Sequence, residues 1–403
     1  MSDPQSITST PFIAKQLKLT VLGTSVTQIP SIKEAAEHDL GISIKYITLD
    51  GAAAQRRCAL QPHSFDIYDQ WFHDLDLVWP TGSLQPIDTI KLYNWEEIKS
   101  NSDNDVLSNF GFKILSSHPL RQMYVQLDGR LGSKVSDKIS MLPTVHNSDG
   151  YAVYGNSSKN NSWSTMLDDR LRGKVMLNAD PAIGALDMLL AMTAKNEIQV
   201  KTIKDLTITE IENFLRLLSK YKEQKQFYTI WTDEADAIDA FAKCDELIGS
   251  LWWSGAIKLR AQGVKVKMQK PVEGYRGWCG GLSLSSKLNG EKLETAYRYL
   301  NWWLSGEPAR FITRNGAYLF NQNSVRKRLE PNEWGFWYSG KAATKAIIDN
   351  DGNEIYAAGE QREGGNYGER MGYIKVWNTV MTEHNFLQRK WEQLFGKSYI
   401  GYK

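Results

Sequence analysis

Hydrophobic positions along the chain fall into two blocks, each alternating short apolar runs with helical patterns. In the first block Leu17–Leu22 reads as a strand that runs into the polar turn Gly23–Thr27, and Pro30 suits the first turn of a helix through about Glu37. Ile42–Leu49 alternates with the period of a strand, Ala52–Leu60 reads as a helix, and Phe65–Tyr68 reads as a strand ending at Asp69-Gln70-Trp71. After the turn-rich stretch MLPTVHNSDGYAVYGN, residues 141–156, the pattern restarts. Lys174–Leu177 reads as a strand, and Asp180-Pro181 opens a helix through Met192. A periodic helix at Thr209–Tyr221, a strand at Thr229–Trp231 and a helix at Asp233–Ala242 follow. The apolar run Leu247–Trp253 reads as a strand. A helix is predicted around ETAYRYLNWWLSGEPARF, residues 294–311. The stretch Ser305–Gly372 is rich in Gly, Asn and charge and predicts long loops and short helices. Tyr373–Phe395 predicts one amphipathic helix, with Ile374, Trp377, Val380, Met381, Phe386, Leu387 and Trp391 at helical spacing and a packing role.

Strands alternating with helices imply parallel sheets with helices on both faces, and such sheets take their ligands beyond the carboxyl ends of the strands. The turn at Thr24–Thr27 and the segment Asp69–His73 fall there. Thr24 and Ser25 can offer hydroxyls to a polar ligand group or simply cap the next helix. Gln70 and His73 flank Trp71, whose ring can stack on a ligand or pack beneath a loop. Asp180 can cap its helix and meet a ligand ammonium. Three arginines, Arg57, Arg276 and Arg370, stand near the expected cleft; each can clamp a carboxylate through its planar fork or form an ordinary salt bridge.

The chain has 403 residues, enough for two domains, and a net charge of +2 that implies no bulk attraction to nucleic acid. Its fourteen tryptophans are the compositional oddity, split between core filling and a stacking cleft. No apolar run approaches the ~18 residues needed to span a bilayer. Three cysteines without CxxC spacing and six scattered histidines predict no metal site, and no motif points to a cofactor. MSDPQSITSTPF has neither the basic nor the apolar segment of a secretory signal, so residues 1–16 read as a flexible spacer behind a removed leader.

The stretch from Glu246 to Asn321 carries a resemblance. Trp252 beside Gly249-Ser250, the Pro271–Gly274 turn and Trp278 resemble the second crossover of bacterial extracellular solute-binding proteins of the spermidine/putrescine-binding type, and a weaker likeness runs from about Leu17 to Phe395. The resemblance implies a periplasmic-binding-protein fold, two doubly wound α/β domains joined by crossovers near 143–150 and 279–281. The implied boundaries are 17–146 plus 279–318 for the first domain and 147–278 plus 319–403 for the second, with a C-terminal covering helix. It further implies a periplasmic monomer that closes on a small solute and delivers it to an ABC membrane permease, with Trp252 and Trp278 lining the cleft. Acidic residues expected at positions 183 and 280 in polyamine binders are Ile183 and Gly280 here. The expected ligand is therefore an amino-acid derivative or opine-like amine whose carboxylate meets Arg276 and Arg370. Three alternatives stay open: polyamine binding, a carbohydrate-binding protein suggested by the tryptophans, and an enzyme using Cys279 as a nucleophile.

Overall fold

A computed structural model of the chain describes residues 17–93, 95–96, 118–155 and 161–396. The expected spacer 1–16 and residues 397–403 of the expected second domain lie outside the described residues. In chain order the elements that position the site are β1 (Lys18–Gly23), α1 (Pro30–Leu40), β2 (Ser43–Thr48), α2 (Gly51–Leu60), β3 (Ile67–Trp71), β4 (Leu142–Asp149) and β5 (Ala152–Tyr154). They continue as β6 (Val175–Asn178), α3 (Pro181–Ala194), α4 (Ile208–Glu223), β7 (Phe227–Trp231), α5 (Glu234–Lys243), β8 (Leu247–Gly249), α6 (Trp253–Ala261), β9 (Lys267–Met268) and β10 (Tyr275–Ser285). The last are α7 (Gly290–Leu304), β11 (Tyr318–Leu319), β12 (Ile374–Trp377) and α8 (His384–Phe395). No described helix is long and apolar enough to cross a membrane.

The first sheet runs in the order β11-β4-β10-β3-β1-β2. β1 pairs in parallel with β2 and β3, and the long strands β10 and β4 close the sheet in antiparallel fashion. The second runs β7-β6-β8-β5-β9, with β6 parallel to β7 and β8. Strand periodicity sorts its side chains between two cores: Val175 and Leu177 of β6 join one apolar cluster, and Met176 between them joins the other. This is the expected doubly wound α/β architecture.

The packing departs from the expected boundaries. Leu319, Val325, Phe336, Trp337, Ile355 and Tyr356 are buried in the same core as β1–β3, so residues 319–372 sit with the first sheet. From residue 373 onward, Val376, Met381 and the α8 residues Leu387, Trp391 and Phe395 join the core of the second. The expected amphipathic helix Tyr373–Phe395 is likewise two elements. Ile374 and Val376 point inward on either side of exposed Lys375, a strand's alternation, and pair with β10, while a true helix begins at His384. Four residues of alternation are too few to outvote the helical spacing that follows. The expected strand Leu247–Trp253 stops at Gly249, and Trp253 opens α6.

The chain passes between the two sheets three times: after β4, before β10 and after β12. Arg276 of β10 sits where all three passages meet. Its Nε donates to Asp187 Oδ1 of α3 at 2.7 Å and its Nη1 to Asn378 Oδ1 at 2.8 Å, and it faces Asp149 at the end of β4. All four groups are buried. A buried pair is weak evidence of net stabilisation, but removing one partner strands the other as an uncompensated charge. Arg276→Ala should accordingly lower unfolding stability by about 3–5 kcal/mol, read as a fall in the urea midpoint; an unchanged midpoint would show that the crossing does not depend on this pair.

Candidate functional site

A cavity of about 670 Å³ opens between the two sheets. The first unit supplies Asp50, Gln55 and Arg56 from the start of α2, Trp71 from the end of β3, and Asp74 just beyond it. The second supplies Asn178 to Ile183 around the start of α3, Ile230 and Thr232 at the end of β7, and Trp252. His384, Gln388 and Glu392 of α8 complete the wall; their i, i+4, i+8 spacing puts them on one helix face. The cavity thus lies at the carboxyl ends of the parallel strands, where the sheet topology directs a ligand.

Trp71 and Trp252 approach each other from opposite units, with ring centroids 6.3 Å apart and planes at 61°. Each is held by a second tryptophan behind it. Trp278 lies edge-on to Trp71 at 5.1 Å, and its Nε1 donates to Asp149 Oδ2 at 2.7 Å. Trp231 lies edge-on to Trp252 at 5.0 Å and donates from Nε1 to the carbonyl of Ser250 at 3.1 Å. Buried and hydrogen-bonded, the rear pair fixes the front pair. Gly280 stands opposite Trp71 in the β3–β10 register, and a Cβ there would lie 3.1 Å from the Trp71 ring. The absent carboxylate at position 280 is therefore the space in which the Trp71 indole rests.

The charges are mostly negative. Asp50, Asp74, Asp180 and Glu392 line the cavity against one arginine, Arg56, and His384. Asp180 accepts from the Ala182 N–H at 2.8 Å and so caps α3, which has Pro181 at its first position. Burial raises the pKa of both Asp74 and Asp180; for Asp74 the neighbouring Asp180 raises it further. Among the described residues Asp74 accepts a long hydrogen bond from the Tyr68 hydroxyl, at 3.4 Å, and has the His73 ring 3.6 Å away.

Of the residues singled out from the sequence, Trp71, Asp180 and Trp252 meet at this cavity. Thr24, Ser25, Gln70, His73, Arg276, Trp278 and Arg370 do not line it. Thr24, Gln70 and His73 are buried, and the Gln70 amide has no hydrogen-bond partner among the described residues. Burial depresses the His73 pKa to about 3. Both expected carboxylate clamps are committed elsewhere: Arg276 to Asp187 and Asn378, and Arg370 to the carbonyls of Ser148 at 2.7 Å and Glu363 at 2.9 Å, with its guanidinium over the Trp253 ring. Arg57 bonds Ser64, and its neighbour Arg56, one step around α2, is the arginine that reaches the cavity.

Asp50, Asp74, Gln388 and Glu392 were not read from the sequence. Asp50 does stand just before the predicted helix, where a cap belongs, and accepts from the Ala53 N–H at 2.9 Å. The stripe 384–388–392 was visible as spacing within a helix assigned to packing.

Cys279 lies within β10, fully buried, and burial pushes its thiol well above the usual range. Its sulfur has one contact of hydrogen-bonding type, 3.8 Å to the Gly280 carbonyl, and this does not favour thiolate. No metal-ligating cluster occurs among the described residues.

Residues 31–310 match the family model of bacterial extracellular solute-binding proteins. The chain belongs to that family. Its members bind solutes, and the cleft between the two sheets is where this one has room for a solute. Solved structures with the same fold include a Listeria monocytogenes protein provisionally named a spermidine/putrescine ABC transporter, 12% identical, TM-score 0.62, covering 94% of this chain and 99% of that one. The spermidine/putrescine substrate-binding protein of Streptococcus pneumoniae is 13% identical, TM-score 0.60, covering 94% and 98%. The A. tumefaciens B6 binding protein MotA, solved with glucopine, is 10% identical, TM-score 0.60, covering 94% and 99%. A comparison with proteins of curated function finds no significant match.

The burial of the cysteines gives a direct check on the nucleophile alternative. In the native protein a thiol reagent should label Cys244, which is partly exposed, and leave Cys58 and Cys279 unmodified until the chain is unfolded. Fast native labelling of Cys279 would reopen that alternative.

Proposed function

We propose that this protein is the solute-capturing component of an ABC importer, acting outside the cytoplasmic membrane, and that its solute carries an ammonium group bound between Asp74 and Asp180 with its carbon skeleton against Trp71 and Trp252. The observation that carries this is the cavity's lining, four carboxylates to one arginine, with two of the acids contributed by opposite units. The two carboxylates missing at positions 183 and 280 lose their weight against a cationic ligand, since Asp50, Asp74 and Glu392 supply negative charge from other positions. The same lining gives no support to a ligand clamped by arginines 276 and 370. Tryptophan faces suit aliphatic ammonium compounds through their apolar area and the attraction of cations to the ring face.

Capture follows from domain closure. Asp74 and Trp71 belong to one unit and Asp180 and Trp252 to the other, so only the closed form offers both pairs at once, and the solute selects it. Of the solved structures with this fold, one is named for spermidine and putrescine and another was solved with glucopine, and an amine-bearing solute agrees with both.

Thermal-shift screening of amines, amino acids and sugars tests the reading, because a ligand of the native state raises apparent stability by mass action. An amine should raise the melting temperature, and neutral oligosaccharides should not. Asp74→Asn should weaken that amine by about 1.5–3 kcal/mol, roughly ten- to a hundredfold or more. Stabilisation by oligosaccharides alone would overturn the proposal.

The pH dependence has a definite sign. Both aspartates hold their protons more tightly in the folded protein than unfolded, and an ammonium favours their ionised forms. Amine binding should therefore release protons, and affinity should fall as pH drops through the raised pKa values of Asp74 and Asp180. Calorimetry in buffers of different ionisation enthalpy reads this release. Asp74→Asn should diminish it; equal release by wild type and variant would remove Asp74 from the site.

A further inference from the structure

A second cavity, of about 380 Å³, adjoins the first, and Leu77, Val380 and His384 line both. It too lies between the units. Asp76 and Arg121 come from the first, Lys204 and Asp205 from the second, and Thr379–Thr382, His384 and Asn385 from the passage into α8. Its charges differ from those of the inner cavity. Asp205 is occupied by the Thr382 backbone N–H at 2.8 Å and hydroxyl at 3.1 Å, which tie it to the crossover. Arg121 touches Asp76 through one nitrogen, Nη2, at 3.1 Å, and Asp76, partly buried, has its pKa raised by desolvation even beside that guanidinium. Lys204 has no ion-pair partner among the described residues. The first turn of α8, at His384 and Asn385, adds the positive end of a helix dipole. The inner cavity is thus net acidic, and the outer one has cationic groups with capacity to spare.

We propose that the two cavities form one elongated, bipolar site, and that the solute is an amine bearing an anionic group, such as a carboxylate, at its far end: the ammonium between Asp74 and Asp180, the carboxylate at Arg121 and Lys204, with the chain passing Leu77, Val380 and His384. This rests on the amine reading of the inner cleft and deepens it. Arg121 and Lys204 belong to opposite units, so an anion held by both would add a second tie across the cleft. A diamine placed the same way would put its second ammonium against Arg121 and Lys204. Selection for the zwitterion thus comes with a repulsive element against the dication.

The test uses three series matched in chain length: n-alkylamines, α,ω-diamines and ω-amino acids, titrated into the full-length protein by calorimetry. The wild type should bind an ω-amino acid of suitable length on the order of tenfold or more tighter than the alkylamine, with the diamine weaker than the ω-amino acid. Combining Arg121→Ala with Lys204→Ala should bring the ω-amino acid down to the alkylamine's affinity and leave the alkylamine unchanged, which also shows that the variant is folded. Arg121→Ala alone should move preference towards the diamine, since it frees Asp76. Equal wild-type affinity for amines with and without a carboxylate, or a doubly substituted protein that keeps its preference, would overturn the bipolar site while leaving the amine reading standing. Failure of every member of all three series would overturn both.

Discussion

The cleft depends on two antiparallel strands, 142–149 and 275–285, that belong to the first sheet and at one end deliver the chain into the second. Their register sets Arg276 opposite Asp149 and runs to Leu282 opposite Leu142. At the far end the strands are ordinary apolar core. At the crossing end they bring together Asp149, Asp187, Arg276, Trp278 and Asn378, all buried and joined through the Arg276 and Trp278 hydrogen bonds. Charges withdrawn from water to this degree are tolerated only when paired in good geometry. Burial raises Asp149 to about 6 even with Arg276 beside it, so this pairing is finely balanced. The crossing therefore accepts few arrangements of its three passing segments, and it is the fixed point about which the two sheets are related.

From that anchor the aromatic site follows by contact. Trp278 is two residues beyond Arg276 on the same strand, and its indole bridges Asp149 on one side and the Trp71 ring on the other. Trp71 is seated on Gly280, two residues further on. The strand residues Arg276, Trp278 and Gly280 share one face by the two-residue period. They act in sequence as lock, prop and seat. The cleft tryptophan is thus positioned by a rigid strand, with little left to the loops around it.

This chain of contacts explains what could be read from residues alone. The order of strands and helices was legible because each element carries its own period and caps: Pro30 and Pro181 at helix starts, Asp180 before one of them. Trp71 was legible because a strand end in such a sheet faces the ligand side, and Trp252 through the resemblance of its Gly-Ser-x-Trp segment to the family's crossover. The role of Arg276 was not. A guanidinium beside a tryptophan in a glycine-rich segment looks the same whether it faces a solute or Asp187, which lies 89 residues earlier. Arg370 was equally ambiguous, since its partners Ser148 and Glu363 accept through backbone carbonyls that no sequence pattern marks. Nothing local distinguishes Asp74; what marks it is Asp180, brought across the cleft by folding.

Asp74 and Asp180 also give closure an electrostatic sign. They sit on different units; burial raises both pKa values, and Asp180 raises that of Asp74 further from across the cleft. Without a cation the two acids resist closing as ions, or close by taking up protons. With an ammonium between them the repulsion becomes two attractions, strengthened by the low dielectric that made the empty pair unfavourable. The tryptophan contact across the cleft adds an attraction that barely depends on solute charge. In the proposed function the aromatic pair thus sets how readily the units meet, and the carboxylate pair decides which solutes make them stay, because only a ligand that binds the closed form better than the open one shifts the balance.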